Sequence, residues 1–442
     1  MMSSDTIAAI ATAPGRGGIG VVRVSGPAVQ TIANALVRGV PEPRVATRRV
    51  FYAADGAAVD DGLCLFFSAP HSYTGEDVLE LQGHGGPAVL HAVLQACLSA
   101  GARIAEPGEF TRRAFLNGKL DLLQAESVAD LIEAGSAQAV RSAMRSLSGE
   151  FSAAVHVLVE QLITLRALTE ATLDFPEEEI DAVHREDAQQ RLDALRAALD
   201  ALLQRSQQGQ LLRDGIHVVL VGLPNVGKSS LLNRLAGDAR AIVSPIAGTT
   251  RDAIRETIII EGVSFHMIDT AGLRDSQDEI ERMGMARTHD EIQRADLIVL
   301  LSEAPLGLTP ETEQLLSSFP TGVRCLRVCN KIDLAPADLP LPADVLPLSA
   351  KTGVGIERLR QRLLSEAGWQ NTGETAFLAR ERHLLALHTA VQHLDAAAQV
   401  LAHWEFFAEE LRLAQLALSS MTGEFSADDL LGEIFSRFCI GK

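Results

Sequence analysis

The stretch GLPNVGKS, Gly222 to Ser229, constrains this chain more than any other. It follows the apolar run HVVLV (217–221) and precedes the apolar helix-like SLLNRLAG (230–237). Strand, glycine-rich loop and helix in that order match the phosphate-binding pattern G-x-x-x-x-G-K-[ST]. The glycines let the backbone curl so that its N–H groups face phosphates, and the helix N-terminus adds positive potential. Lys228 is placed to reach β and γ phosphates, and the Ser229 hydroxyl to bind Mg²⁺. Further short apolar runs follow at TIIIEG, VSFHMID, LIVLLS and RCLRVCN, separated by helix-length segments. Their order predicts a parallel doubly wound sheet running from about 213 to about 370.

Three more motifs lie on that frame. NKID, Asn330 to Asp333, follows RCLRVCN. The Asp333 carboxylate can accept from N1–H and the exocyclic amine of guanine, a donor pair adenine lacks. SAK (Ser349, Ala350, Lys351) would complete the base pocket with a backbone N–H near the guanine carbonyl. AGTTRD (247–252) stands where a first switch belongs, with Thr250 the candidate second Mg²⁺ ligand. In DTAGLRD (269–275), Asp269 would hold Mg²⁺ through water and the Gly272 N–H would sense the γ-phosphate. Leu273 then stands where many GTPases carry the Gln that orients the attacking water. The reading is a guanine-nucleotide site for GTP and GDP. Its contacts are Asn225, Val226, Gly227, Lys228, Ser229 and Ser230, then Ala247, Gly248, Thr249 and Thr250. Asp269, Thr270, Ala271, Gly272, Asn330, Lys331, Asp333 and the SAK loop complete it.

Outside this region the pattern changes twice. Residues 1–118 alternate apolar runs with Gly/Pro turns. VVRVSG, LCLFFS and VLELQG read as strands and AVLHAVLQACL as a helix, hence a small α/β domain. Val155, Leu158, Leu162 and Leu165, and Leu192, Leu195, Leu199 and Leu202, fall at helical spacing. So do Leu384, Leu387, Val391 and Leu394. The economical division is 1–118, a helical domain from 119–212 plus 371–442, and an inserted α/β domain at 213–370. Two separate bundles are the alternative. LDFPEEEID, with Pro176, reads as a solvated turn between two helices.

Composition sets the limits. The 442 residues carry 39 Lys plus Arg against 57 Asp plus Glu, a net charge of −18. That opposes non-specific binding to nucleic acid or anionic lipid. Five scattered Cys suggest neither a disulfide framework nor a zinc cluster, and predict a reducing cytoplasm. No apolar run approaches a membrane span, and no basic region precedes TIAAIATA (6–13), so neither membrane insertion nor a signal peptide is expected.

With GLPNVGKSSLLN, SPIAGTTRD, DTAGLRD and NKID, the strings GRGGIGVVRVSG, EDVLELQGHGGP, RAFLNGKLDL and CIGK resemble the MnmE/TrmE family of tRNA wobble-uridine modification GTPases. The resemblance implies a multidomain α/β protein. An N-terminal α/β folate-binding and dimerisation domain would precede a discontinuous all-α helical domain, with a Ras-like P-loop GTPase domain inserted. It implies a homodimer activated by K⁺, with Asn225, Ser244, Ile246 and Thr249 matching the K⁺ ligands, and it adds Ser244, Pro245 and Ile246 to the nucleotide contacts. Glu281 matches the family's water-orienting carboxylate; spacing alone makes it a solvated helix residue, and Arg274 is its rival as an arginine finger. Arg23, Glu80, Lys119 and Lys442 match folate-pocket positions for a 5,10-methylene- or 5-formyl-tetrahydrofolate. His84 in GHGGP reads as a turn residue. Cys439 is a candidate nucleophile, or a small apolar residue. The implied partner is the flavoprotein MnmG, with tRNA as substrate. Rival readings are a GTP-dependent assembly switch and a stand-alone folate-dependent one-carbon enzyme.

Overall fold

The computed structural model describes residues 5–174, 182–238, 255–269, 291–304, 309–317, 319–320, 322–336, 340–370 and 376–423, together with 431, 434–436, 438 and 441. The chain forms two compact units. The first comprises residues 1–132, 146–198 and 386–442; the second comprises 133–145 and 199–385.

The first unit opens with a six-stranded sheet. Its strands are β1 (Ile7–Ile10), β2 (Gly20–Ser25), β3 (Thr47–Tyr52), β4 (Ala58–Phe67), β5 (Val78–Gly83) and β6 (Arg103–Ile104), in the order β3-β4-β5-β2-β1-β6. All neighbours are antiparallel except β1 and β6. Alternation decides the two faces. Val22, Val24, Cys64, Phe66, Leu79 and Leu81 point into a core shared with helices α1 (Val29–Val37) and α2 (Pro87–Ser99). The intervening Arg23, Glu80 and Gln82 are half-buried on the other face. Strands β1, β3 and β6 go beyond the sequence expectation: β6 is two residues long and β3 carries two Arg, so neither shows a strand pattern.

After α3 (Glu109–Leu116), α4 (Leu122–Glu133) and α5 (Ala137–Leu147), two long helices follow, α6 (Glu150–Asp174) and α7 (Ala182–Asp214). All eight leucine and valine positions expected to be their apolar stripes are buried. Segment 175–181, including Pro176, lies outside the described residues. The C-terminal helices α11 (Glu381–Gln399) and α12 (Trp404–Thr422) return to these. Arg196 on α7 bonds Asp395 on α11, and Arg166 on α6 donates to Gln415 on α12 at 2.7 Å. The two helical pieces therefore pack as one discontinuous layer. One expectation needs correction. Over Glu150–Leu173, α6 is long and apolar enough to cross a membrane by length and composition. Ser152, His156, Glu160, Gln161, Thr164 and Arg166 interrupt the run without lowering its average enough. Its Val155–Leu158–Leu162–Leu165 stripe is buried in this unit, while Val157, Ile163 and Leu168 on its other side are exposed.

The second unit contains a six-stranded sheet in the order β12-β11-β10-β7-β9-β8. Its strands are β7 (Ile216–Gly222), β8 (Arg255–Ile260), β9 (Val263–Asp269), β10 (Leu297–Glu303), β11 (Arg324–Asn330) and β12 (Val345–Pro347). Helices α8 (Lys228–Asp238), α9 (Pro310–Ser317) and α10 (Ile356–Glu366) belong to it. The wholly parallel expectation is corrected at one edge: β8 and β9 form an antiparallel hairpin. Only Glu261 and Gly262 join them, both with positive φ (46° and 86°), as a two-residue hairpin turn demands. Two residues cannot carry the crossover that parallel pairing needs.

The turn rests on α5, where Ser136 Oγ accepts from Ala139 N–H as helix cap and donates to the Gly262 carbonyl at 2.8 Å. Near the C-terminal end of α7, Gly209 lies so close to the returning chain that a Cβ there would sit 1.5 Å from the Phe377 carbonyl oxygen. Gln208 brackets the same contact, donating to Gly368 O and accepting from Gln370 N–H.

Gly209→Ala must force backbone apart. It is expected to destabilise the second unit by about 2–4 kcal/mol, seen as a lowered thermal midpoint with the first unit's transition unmoved. A second prediction concerns Glu109, which is buried in the first unit beside Arg103 and Arg113. Burial pushes its carboxyl up, but bonds from Arg103, the Glu106 N–H and Arg113 outweigh that and hold it below the ordinary carboxylate range. A carboxyl lowered on folding gives stability above its unfolded pKa that is lost as pH falls through the folded one. Glu109→Gln should therefore flatten the acid limb of the first unit's stability below about pH 5. Unfolding curves at several pH values check this.

Candidate nucleotide and folate sites

The parallel strands β7, β11 and β12 end at one edge of the second sheet, and the loops after them converge there. Asn225 (φ 65°) and Gly227 (φ 95°) both adopt left-handed backbone, which bends the loop around the start of α8. Asn225 is exposed, whereas Lys228 is buried over the loop and donates from Nζ to Gly222 O (2.8 Å) and Leu223 O (3.1 Å). Ser229 Oγ donates to Asp269 Oδ2 at 3.0 Å. Two oxygen donors thus meet beside the N-terminus of an eleven-residue helix, a donor set that suits a hard divalent ion such as Mg²⁺.

Asn330, 2 % exposed, joins this loop to the base side. Its Nδ2 donates to Val226 O at 2.8 Å and its Oδ1 accepts from Ala350 N–H at 3.0 Å. Gly227 makes that approach possible: a Cβ there would lie 2.4 Å from Asn330 Nδ2. Asp333 accepts from Ser349 Oγ at 2.6 Å, fixing one carboxylate oxygen. Lys331 (φ 62°) pairs with Glu303 at 3.1 Å, a partner the sequence reading missed. Asn225 through Ser230, Asp269, Asn330, Lys331, Asp333 and Ser349 through Lys351 are described. Ser244, Pro245, Ile246, Ala247, Gly248, Thr249, Thr250, Thr270, Ala271, Gly272, Arg274 and Glu281 lie outside the described residues.

On the first unit, Arg23 and Glu80 face each other across β2 and β5. Arg23 Nε and Nη2 both donate to Glu80 Oε1, at 3.0 and 2.9 Å, and Nη1 reaches the Gly441 carbonyl at 3.4 Å. The rings of Tyr73 and Phe110 lie 5.5 and 5.7 Å from the guanidinium. Burial pushes the Tyr73 phenol up, so it stays neutral and donor-competent. Neither ring was foreseen; only the scarcity of Tyr, two in the chain, could have drawn attention to Tyr73. Lys119 makes a different contact, donating to Pro70 O at 3.2 Å with its stem over Gly75. Pro70, Tyr73 and Gly75 lie on one loop, so that loop touches both Arg23 and Lys119. Arg23 and Tyr73 present a cation and an aromatic face, which suit the glutamate tail and ring system of a folate. Cys439 and Lys442 lie outside the described residues.

His84 is more than a turn residue. Its N–H and Nδ1 meet the two carboxylate oxygens of Asp60 at 2.8 and 2.7 Å.

Comparison with known proteins adds the lineage. A family model described as "GTP-binding protein TrmE N-terminus" matches residues 6–119, and one described as "MnmE helical domain" matches 122–439. A "tRNA modification GTPase MnmE" of Thiobacillus denitrificans is 60% identical over 438 residues, covering 99% of this chain and 98% of the relative. The protein of the same name in Nitrosospira multiformis is 58% identical over 453 residues, with full coverage of both chains. Among solved structures, a variant of Aquifex aeolicus Era bound to GDP.AlF4⁻ aligns at 27% identity. It covers 40% of this chain and 66% of that one, with a TM-score of 0.30.

Asn330→Ala would leave a buried N–H and a buried carbonyl without their partner. The expected result is about 10- to 100-fold weaker binding of a labelled guanine nucleotide, since each stranded group costs about 1–3 kcal/mol and relaxation recovers part. Titration of the variant against wild type checks it.

Proposed function

Because the chain belongs to the MnmE/TrmE family of tRNA modification GTPases, we propose that it is a K⁺-activated GTP hydrolase that works with the flavoprotein MnmG on the tRNA wobble uridine. There the pair builds an aminomethyl or carboxymethylaminomethyl group at carbon 5, using a methylene-tetrahydrofolate carbon. The protein acts as a cytoplasmic homodimer divided at 1–118, 119–212 with 371–442, and 213–370. The observation that carries the reading is the convergence of the phosphate loop, Asp269, Asn330–Asp333 and the SAK loop on one sheet edge, in a chain that keeps an Arg23–Glu80 pair on a separate sheet.

Each residue has work that its chemistry suits. The curled loop and Lys228 bind and orient the phosphates. Asp333, held by Ser349, accepts from the guanine donor pair. Ser229 and Thr250 would hold Mg²⁺, with Asp269 acting on it through a water. Asn225, with Ser244, Ile246 and Thr249, would hold K⁺. A monovalent cation there supplies the charge stabilisation that an arginine finger gives other GTPases. Glu281 orients the attacking water, a task Leu273 cannot share. Arg23, Glu80, Lys119 and Lys442 hold the folate, the cations facing its glutamate tail and Glu80 the donor edge of its pterin. Cys439 is assigned as a candidate nucleophile at the same pocket. The acidic balance of the chain leaves most phosphate-backbone contact with tRNA to the partner.

The test is turnover of GTP in potassium against sodium. Wild type should hydrolyse several-fold faster in potassium. Asn225→Ala should lose that difference while keeping GTP affinity within a few-fold, because the side chain is not a phosphate ligand. Equal rates in both salts for wild type would remove the K⁺ assignment, and stimulation surviving in the variant would move the ion elsewhere.

A further inference from the structure

We propose that Arg234 is a positioning residue for guanine recognition: from the phosphate-loop helix it clasps two successive carbonyls of the SAK loop, those of Ala350 and Lys351, and so aims the Lys351 N–H at the base. Arg234 lies on α8, six residues after Lys228, about 9 Å along the helix. Its Nε donates to Ala350 O at 3.0 Å and its Nη2 to Lys351 O at 2.5 Å. The planar fork of a guanidinium serves two acceptors in one fixed geometry, which a Lys cannot do.

The consequence follows from peptide geometry. In a trans peptide the C=O and the next N–H point in opposite directions. Holding Ala350 O and Lys351 O toward α8 therefore turns the N–H of Lys351 away from α8 and fixes two successive peptide planes. The rest of the loop is closed on itself. Ser349 N–H donates to Val354 O, Gly353 N–H to Ser349 O, and Thr352 N–H to Ser349 Oγ. Asn330 grips the Ala350 N–H from the other side. One residue, Ala350, is thus held through its N–H by the end of β11 and through its C=O by α8. The helix that carries the phosphate ligands at its start carries the orienting group for the base loop two turns on.

This inference rests on the reading that the SAK loop meets the guanine carbonyl, and the experiment separates the two. Dissociation constants for GDP, the inosine diphosphate (no exocyclic amine) and the 2-aminopurine diphosphate (no carbonyl and no N1–H) are measured for wild type, Arg234→Gln and Arg234→Lys. If wild type binds the 2-aminopurine nucleotide as tightly as GDP, the loop does not read the carbonyl and the underlying reading fails. If wild type disfavours the 2-aminopurine nucleotide more than the inosine one, Arg234→Gln should weaken GDP about tenfold, the scale of one to two charge-assisted bonds at a half-exposed site. The preference for GDP over the 2-aminopurine nucleotide should shrink to the part that Asp333 draws from N1–H, while that over the inosine nucleotide, which senses Asp333 alone, stays. Arg234→Lys keeps the charge and can serve one carbonyl, so it should recover part of the lost preference. It carries the same comparison should the Gln variant fail to fold. Equal weakening of all three nucleotides, or none, overturns the proposal.

Discussion

The second unit depends on one neutral side chain. A parallel sheet gathers its functional loops at the C-terminal ends of its strands, where the backbone ladder has stopped. Nothing in the sheet's own hydrogen bonding fixes those loops relative to each other. Asn330 supplies the missing tie because an amide carries both a donor and an acceptor. It gives one bond to Val226 O and takes one from Ala350 N–H, in a site only 2 % exposed. A carboxylate of the same shape could accept from Ala350 but would repel the Val226 carbonyl. Gly227 is the matching concession on the other side, since any larger residue would meet the amide. The phosphate and base halves become one cradle through two bonds of ordinary length.

The first unit solves its problem with charge. Arg113 is 3 % exposed and is surrounded by Asp5, Glu76 and Glu109, and Arg103 closes the group from Asp5 and Glu109. Buried charges are tolerated only when paired and hydrogen-bonded, and here one buried guanidinium meets three carboxylates. Ser25 extends the network, contacting Thr74 at 2.7 Å and donating to Glu76 at 2.7 Å. The group ties the N-terminal strand, the loop after β4 and helix α3 together beside Arg23. Arg23 is itself paired with Glu80. An anionic ligand at Arg23 therefore exchanges one ion pair for another, and its selectivity must come from the flanking Tyr73 and Phe110 rings as much as from charge.

What the sequence disclosed divides along physical lines. Motifs whose spacing fixes the backbone were legible: the phosphate loop, the strand before it, and NKID after a strand lie where their patterns predict. The helical stripes were legible too, because a period of 3.6 with leucine at each contact has few alternative readings. The β8–β9 hairpin was misread because apolar runs carry no direction. The signal lay in the two residues Glu261 and Gly262, too short a link for a crossover. Short strands such as β6 have no period to detect. The Arg113 network was invisible because its members stand up to 108 residues apart, and single charges carry no pairing information. Arg234 was hidden for a related reason: on a helix surface it looks like a solvated charge, and its acceptors are backbone carbonyls 116 and 117 residues away.

The hairpin gives β9 an unusual position between two constraints. Its last residue, Asp269, accepts from Ser229, while its first, Val263, follows the turn that Ser136 holds on α5. Seven residues of strand span roughly 23 Å, and a paired strand is stiff along its length. On its inner side β9 keeps register with β7, with Leu220 opposite Asp269. A shift of Asp269 along the strand must therefore break that register or strain the Ser136–Gly262 bond at the far end. The acidic group at the phosphate site and the cap of a helix outside the sheet are mechanically one piece. That rigidity follows from a two-residue turn and a serine that serves both as helix cap and as donor.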